Sequence, residues 1–182
     1  MGSDGYGGLI GAFPYAARRS ASWLFRGYVI LAALVGLLVV VVVSLGVIKL
    51  LATTGRAEGT SAFVRGFYLL VGVTVVVPIV APVLLVARRH RRTGSSPPRY
   101  DRAMAGAGFL FILLLYVGLV ASTPPARQEA VRPIVVAIGE TRVEIALTRT
   151  VAEWLYALPR VGGVLFPALG AVLIVLIHRR TR

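Results

Sequence analysis

The chain has 182 residues, 57% of them hydrophobic, and a mean hydropathy of +0.83. Globular chains hold about 45–50% apolar residues, and the excess here lies in long uncharged runs, so a large soluble core is excluded. The formal net charge of +13 would suit a nucleic-acid-binding protein. The arginines instead cluster at the ends of the apolar runs, so no nucleic-acid partner is expected. The absence of cysteine excludes disulfides and thiolate sites.

Residues 1–26 form an N-terminal segment that mixes aromatic, aliphatic and arginine side chains. This mixture predicts either a helix at the level of the lipid headgroups or an ordinary aromatic flank of the first span. Pro14 is expected near the start of such a helix. The lead before the first apolar run is too long for a cleavable signal peptide, so the first span is expected to remain as a signal anchor.

Four uncharged runs follow, at 27–48, 66–87, 103–126 and 161–177. A hydrocarbon core of about 30 Å requires about 20 apolar residues per helix, and backbone groups inside lipid must bond within their own segment. We therefore predict an all-α membrane protein with four transmembrane helices, a juxtamembrane N-terminal segment and an external amphipathic helix. Residues 27–122 hold the first three membrane helices, and 160–182 hold the fourth with a basic tail.

Prolines and small residues inside the spans predict kinks and close helix packing. Pro78 and Pro82 lie four residues apart, on one helical face, and each removes a backbone donor. A kink is expected near Thr74–Pro78, where the Thr74 hydroxyl could bond to the freed carbonyl region. Small residues let neighbouring helices approach closely. The predicted kink and packing positions are Pro78, Pro82, Pro167, Gly106, Gly162 and Gly163.

Basic residues predict the orientation of the chain. Twelve of the twenty Lys and Arg residues lie on the side of the N-terminus, the loop 88–102 and the C-terminus. The positive-inside rule then places both termini in the cytoplasm of a multi-pass cell-membrane protein. Basic side chains near the surface also attract anionic lipid headgroups. The residues expected in this topological and headgroup-binding role are Arg88, Arg89, Arg91, Arg92, Arg179 and Arg180.

The external segment 123–159 carries a second periodic pattern. Apolar residues at Val143, Leu147, Val151, Trp154 and Leu158 draw one helical stripe, which predicts an amphipathic helix at about 142–158. The run 134–141 is consistent with either a short strand or the beginning of a helix.

No span carries a charged residue at its centre, where ion-coupled carriers and membrane enzymes normally place one. His90 and His178 each lie in an arginine cluster, which disfavours a metal ion. No catalytic, cofactor-binding or metal site is predicted, and the chain is not expected to be an enzyme.

Two functions remain open. The first is a non-enzymatic structural or accessory partner in the membrane. The alternative is a small oligomeric transporter or channel for a neutral or small solute, which a polar cavity around Thr74 and Tyr116 would favour. The expected partners are a bilayer with anionic headgroups and either a homo-oligomer or another membrane protein.

Several short stretches together resemble a known family. "GAFPYAARRS" precedes the first span, "APVLLVARRHRRTG" follows the second, "YDRA" opens the third, and "YALPRVGG" leads into a last span that ends in "HRR". In order and spacing these stretches resemble a set of small haloarchaeal membrane proteins that carry a domain of unknown function. The resemblance implies four helices in a halophile cell membrane, and it carries over no functional residue. The part "VVAIGETRVEIAL" is longer than that family leads us to expect.

Overall fold

The computed structural model describes residues 8–54, 60–125, 135–138, 141–144, 151 and 153–181. Four of its helices are long and apolar enough to cross a membrane, which confirms the predicted all-α membrane fold. The elements in chain order are α1 (Gly8–Arg19), α2 (Trp23–Thr54), α3 (Thr60–Thr93), α4 (Pro98–Ala121), β1 (Val135–Ile138), β2 (Thr141–Glu144) and α5 (Gly162–Arg180).

The chain divides into two compact units. The first comprises Met1–Phe109 and Leu173–Arg182, and the second comprises Leu110–Val172. The first unit therefore contains α1 to α3, the beginning of α4 and the end of α5. The second contains the remainder of α4 and α5.

Helices α2 and α3 of the first unit form an antiparallel pair that meets at small residues. A Cβ added to Gly46 would lie 3.4 Å from the Tyr68 ring, and one added to Gly72 would lie 2.9 Å from the Val43 side chain. At the other end of the pair, a Cβ added to Gly36 would lie 4.0 Å from Cγ1 of Val80. Without side chains at these glycines, the two backbones can approach closely, and close approach is how apolar helices associate in lipid.

Tyr28 of α2 connects this pair to α4. Its hydroxyl donates a 2.6 Å hydrogen bond to the Ile79 carbonyl of α3, and its ring meets Phe109 edge-on at 5.3 Å. A Cβ at Gly108 would overlap the Tyr28 ring and hydroxyl. A Cβ at Gly106 would meet nothing within 4 Å. Gly108 rather than the predicted Gly106 therefore makes the close approach within the first unit.

The N-terminal segment contains α1, which contacts α2 and α3 and buries Ala12 and Ala16. Pro14 lies in the interior of α1 rather than near its start. The amide that Pro14 lacks would have bonded to the carbonyl of Ile10. The helix nevertheless continues through this position to Arg19.

Helix α3 runs without a break through both of its prolines. The Thr74 hydroxyl donates to the Leu70 carbonyl at 2.8 Å, one turn back in its own helix. The expectation that it bonds near the carbonyl freed by Pro78 is therefore wrong, because a threonine hydroxyl in a helix reaches backward along the chain. Pro82 is buried and Pro78 is half-buried. The kink near Thr74–Pro78 stays a prediction.

Local signals define the helix ends where α3 passes to α4. Gly94 has a φ of +72° directly after the last residue of α3, and glycine adopts this left-handed conformation readily at a helix C-terminus. Pro98 opens α4, at a position where its fixed φ suits a helix and its missing amide costs little. The loop between these two residues is therefore short and well defined.

In the second unit, α4 and α5 approach each other at glycines. A Cβ on Gly163 would stand 2.7 Å from the Cβ of Ser122, and one on Gly118 would stand 3.1 Å from the Gly162 carbonyl oxygen and from Cδ of Pro167. Gly162, Gly163 and Pro167 thus lie at a close helix crossing, as small residues in membrane helices commonly do.

Strands β1 and β2 pair antiparallel, with Val135 opposite Glu144 and Ile138 opposite Thr141. Residues 142–144 are therefore strand, and the predicted beginning of the amphipathic helix at about 142 is wrong. β-branched residues are frequent in both strands and favour extended backbone. The predicted helical stripe had only Val143 within this stretch, so the helical pattern was weak there. Residue 151 and residues 153–156 are helical. Residues 157–158, at the end of the predicted helix, form a turn. Residues 145–150 and 152 of that helix, and 126–134 before the strands, lie outside the described residues.

Candidate functional site: a buried polar cluster and an arginine cleft

Asp101, in the first turn of α4, is completely buried and bonds to three side chains. One of its carboxylate oxygens, Oδ2, accepts a 2.6 Å hydrogen bond from the Ser20 hydroxyl. The other, Oδ1, accepts a 2.8 Å bond from the Ser96 hydroxyl. Nε2 of His90 lies 3.2 Å from Oδ2 and donates to it when that nitrogen carries the proton. We call these four residues the Asp101 cluster.

The Asp101 cluster connects the first turn of α4 to three other parts of the chain in the first unit. Ser20 belongs to the junction of α1 and α2, His90 to the end of α3, and Ser96 to the loop before α4. The junction is itself ordered, because the Ser20 hydroxyl accepts from the Ser22 amide at 3.2 Å and the Ser22 hydroxyl accepts from the Phe25 amide at 3.3 Å. The second of these bonds is an N-cap of α2. A buried carboxylate requires such partners to offset its loss of water.

The arrangement of serine, histidine and aspartate in this cluster does not suit nucleophilic catalysis. In a hydrolytic triad the imidazole stands between the serine and the carboxylate, so that it can remove the hydroxyl proton. Here the carboxylate stands between Ser20 and His90, and the Ser20 hydroxyl donates to Asp101. The cluster therefore lacks the order of a hydrolytic triad, and its hydrogen bonds tether helix ends together.

Beside the cluster, the end of α3 and the end of α5 enclose a half-open cavity of about 250 Å³. Its basic side chains come from consecutive turns of α3, because Arg88 and Arg92 are four residues apart. His178 contributes from α5. We call this feature the arginine cleft; its lining residues are Leu85, Arg88, Arg89, Arg92, Thr93 and His178.

Arg89 is held in a fixed position within the arginine cleft. Its guanidinium carbon lies 4.2 Å from the centre of the Tyr100 ring, a cation–π geometry. Its Nη1 group donates to the Thr181 carbonyl at 3.0 Å. The Tyr100 hydroxyl is in turn 2.7 Å from Nδ1 of His178. The ends of α3, α4 and α5 are thus connected through this one side chain and its neighbours.

The structure divides the six arginines that the sequence assigned to topology and headgroup contact. Arg88, Arg89 and Arg92 line one cleft. Arg91, Arg179 and Arg180 are not among its lining residues, although they are exposed like Arg88 and Arg92. The cleft also includes His178, which the sequence had placed only among arginines at the end of a span.

The Asp101 cluster was missed at the level of sequence. One signal was available, since Asp101 is the single acidic residue in a basic loop that also contains six arginines. An acidic residue in the first turn of a helix is also favoured by the helix dipole. Nothing in the sequence places Ser20 against it, because 81 residues separate the two.

Within the part of the chain that the structure describes, no group of three or more His, Asp or Glu side chains is arranged to hold a metal ion. His90 and Asp101 are a pair only, and the serines complete their surroundings.

Comparisons with other proteins place the chain in a family. A comparison with curated proteins and another with solved structures each found no match. A family model described as a domain of unknown function, DUF8056, matches residues 1–182. Because that match extends over the whole chain, the protein belongs to the DUF8056 family.

Proposed function

We propose that this protein is a non-enzymatic, multi-pass protein of the cytoplasmic membrane that serves as a structural or accessory partner of other membrane components. Both termini lie in the cytoplasm in this proposal, with the bilayer's anionic headgroups as a further partner. The haloarchaeal membrane implied by the sequence resemblance belongs to the same proposal.

The observation that carries the proposal is that the buried polar side chains bond to one another or cap a helix. The buried polar or charged side chains among the described residues are Ser20, Ser22, His90 and Asp101. Each of them bonds within the Asp101 cluster or caps α2. These buried polar side chains of the described residues therefore hold helix ends together, which is the task of such groups in a structural protein.

The positions of Thr74 and Tyr116 count against the transport alternative. A midplane pathway for a polar solute would expose hydroxyls to an internal cavity. The Thr74 hydroxyl instead bonds to its own helix, and Tyr116 is 58% exposed. Neither residue lines the arginine cleft.

The exposed face of α4 offers a place for a partner helix. Gly106 is exposed while its neighbours Met104, Ala105, Ala107 and Gly108 are buried. Since a side chain at this glycine would meet nothing within 4 Å, the backbone of another helix can approach it closely.

The test is affinity purification of the tagged full chain from its native membrane, beside Gly106→Leu. The accessory role predicts a companion in fixed stoichiometry, or a defined homo-oligomer, whose yield falls at least severalfold in the variant. Gly106→Ala is the matched control, because it adds one methyl group to open space and should retain the companion. Equal recovery from all three proteins would contradict a role for this face.

A second measurement separates the two functions. The purified chain is reconstituted alone into vesicles, and solute entry is followed by light scattering after an osmotic step. An accessory partner should leave the rate equal to that of empty vesicles. A rate that rises with the amount of protein would overturn the proposal in favour of a channel or transporter.

A further inference from the structure

We propose that the arginine cleft is a specific binding site for a phosphate group, carried by an anionic lipid headgroup or free in solution. This inference deepens the proposed contact with anionic headgroups and rests on it for the lipid source, while the local geometry of the first unit argues for the phosphate group itself. It also differs from general attraction of a basic surface to lipid, since it assigns the contact to three of the six arginines.

The first argument is uncompensated charge. Three arginines, Arg88, Arg89 and Arg92, line the cleft. Within the part of the chain that is described, no carboxylate forms an ion pair with any of them. The nearby Asp101 is buried and already accepts from two serines. Because arginine presents a planar fork of donors that matches phosphate oxygens, an arriving phosphate would meet strong and geometrically suited partners.

The second argument is preorganisation. Arginine normally loses rotamer freedom when it binds a ligand, and that loss weakens affinity. Arg89 is already fixed by the Tyr100 ring at 4.2 Å and by the Thr181 carbonyl at 3.0 Å. Tyr100 is itself held by the 2.7 Å contact with His178. One of the three cationic groups is therefore in place before the anion arrives.

The third argument is the size and lining of the cleft. Pockets for drug-sized ligands measure about 300–1,000 Å³, so a cavity of about 250 Å³ suits a smaller group such as a phosphate with part of what it is attached to. Leu85 stands three residues before Arg88, which is about 4.5 Å along the helix axis toward the apolar part of the span. A lipid phosphate at the arginines could therefore rest its glycerol end on an apolar wall.

The test compares two pairs of substitutions that remove the same charge from the same end of the protein. Arg88→Gln/Arg92→Gln, the cleft pair, alters the lining, whereas Arg179→Gln/Arg180→Gln, the outside pair, does not. All four residues are exposed, so the pairs differ in position and not in exposure. The full chain is purified in mild detergent, and bound phosphatidylglycerol is counted by native mass spectrometry over a titration at fixed ionic strength. Phosphatidylcholine serves as the neutral lipid probe, and inorganic phosphate is the soluble competitor.

We expect substitution of the cleft pair to weaken phosphatidylglycerol binding about tenfold, which is the scale of one lost charge-assisted hydrogen bond. Substitution of the outside pair, Arg179 and Arg180, should change it less than about threefold. Arg92→Gln alone should weaken binding in the same direction, which keeps the test valid if the double variant fails to fold. Lack of competition by millimolar inorganic phosphate would assign the site to a lipid headgroup, and strong competition would assign it to the phosphate group in either form. Equal losses in the two pairs, or binding of both lipids alike, would overturn the proposal in favour of unspecific attraction.

Discussion

At the scale of single residues, Asp101 shows how a membrane protein accommodates a buried carboxylate. Two serine hydroxyls and a histidine nitrogen lie within 3.2 Å of its oxygens. Hydrogen bonds to a charged group contribute about 1.5–3 kcal/mol each, and a buried group left without its partner costs a similar amount. The carboxylate is thus tolerated only while all of its neighbours remain, so each of them also fixes the segment that carries it.

The substitution Asp101→Asn should reduce the free energy of unfolding by about 1–3 kcal/mol. The amide keeps the shape of the side chain but replaces one acceptor oxygen with a donor, which faces a hydroxyl or an imidazole. Unfolding of the purified chain in mixed micelles, followed by circular dichroism, measures the change. Arg99→Gln, an exposed neighbour, should leave the unfolding midpoint where it is. An Asp101→Asn protein as stable as the unaltered chain would show that the cluster does not stabilise the fold.

At the scale of elements, the contact between α2 and α4 depends on the pairing of a large and a small residue. Tyr28 is buried completely and occupies the space that a side chain at Gly108 would need. Its hydroxyl bonds to a carbonyl of α3, so the ring is fixed on two sides. Overfilling such a site typically costs about 1–3 kcal/mol, because the ring has nowhere to move.

Gly108→Ala should therefore lower the unfolding midpoint in the same micelle assay. Gly106→Ala is the matched control, since that position is open and alanine is the better helix former; its stability should stay equal or increase slightly. In a Tyr28→Ala background the penalty of Gly108→Ala should largely disappear, which a double-mutant cycle measures directly. A penalty of the same size in both backgrounds would mean that Tyr28 is not the side chain responsible.

At the scale of the whole molecule, four apolar helices and the distribution of arginine govern how the chain enters a bilayer. The basic ends of α3 and α5 both lie in the first unit. Basic residues resist transfer across the membrane, so the proposed orientation keeps these ends in the cytoplasm. Because the chain has no cysteine, single introduced cysteines report orientation without background.

Ser95→Cys and Ala157→Cys replace exposed residues on opposite sides of the membrane in the proposed topology. A membrane-impermeant maleimide should label Ala157→Cys in intact cells and Ser95→Cys only after the membrane is opened. Replacing Arg88, Arg89, Arg91 and Arg92 with glutamine should produce mixed labelling of the Ser95→Cys protein, whereas replacing them with lysine should preserve the pattern. Labelling of Ser95→Cys in intact cells of the otherwise unaltered chain would contradict the proposed orientation.

The sequence by itself determined the membrane class, the number of membrane helices and the presence of basic helix ends. These properties are local: the length of an uncharged run and the residues at its ends predict a span whatever it packs against. The segment 88–102 was predicted as the loop between the second and third spans, but positions 88–93 belong to α3 and positions 98–102 to α4, because charge marks the end of a span and not the end of a helix. Local preference left 134–141 open between strand and helix and wrongly predicted helix from about 142, where β-branched residues and a helical stripe overlap and the structure has strand up to Glu144.

Only the tertiary structure decided which of several similar residues meet. Ser20 and Asp101 are 81 positions apart, and no periodicity relates them. Gly106 and Gly108 are equivalent in sequence terms, yet two positions on a helix face directions about 200° apart, and only Gly108 faces Tyr28. The six arginines at the ends of α3 and α5 were likewise indistinguishable by sequence pattern. Three of them line one cleft because the rotation of α3 and the arrival of the end of α5 bring them there, and such placement depends on packing that a one-dimensional pattern does not contain.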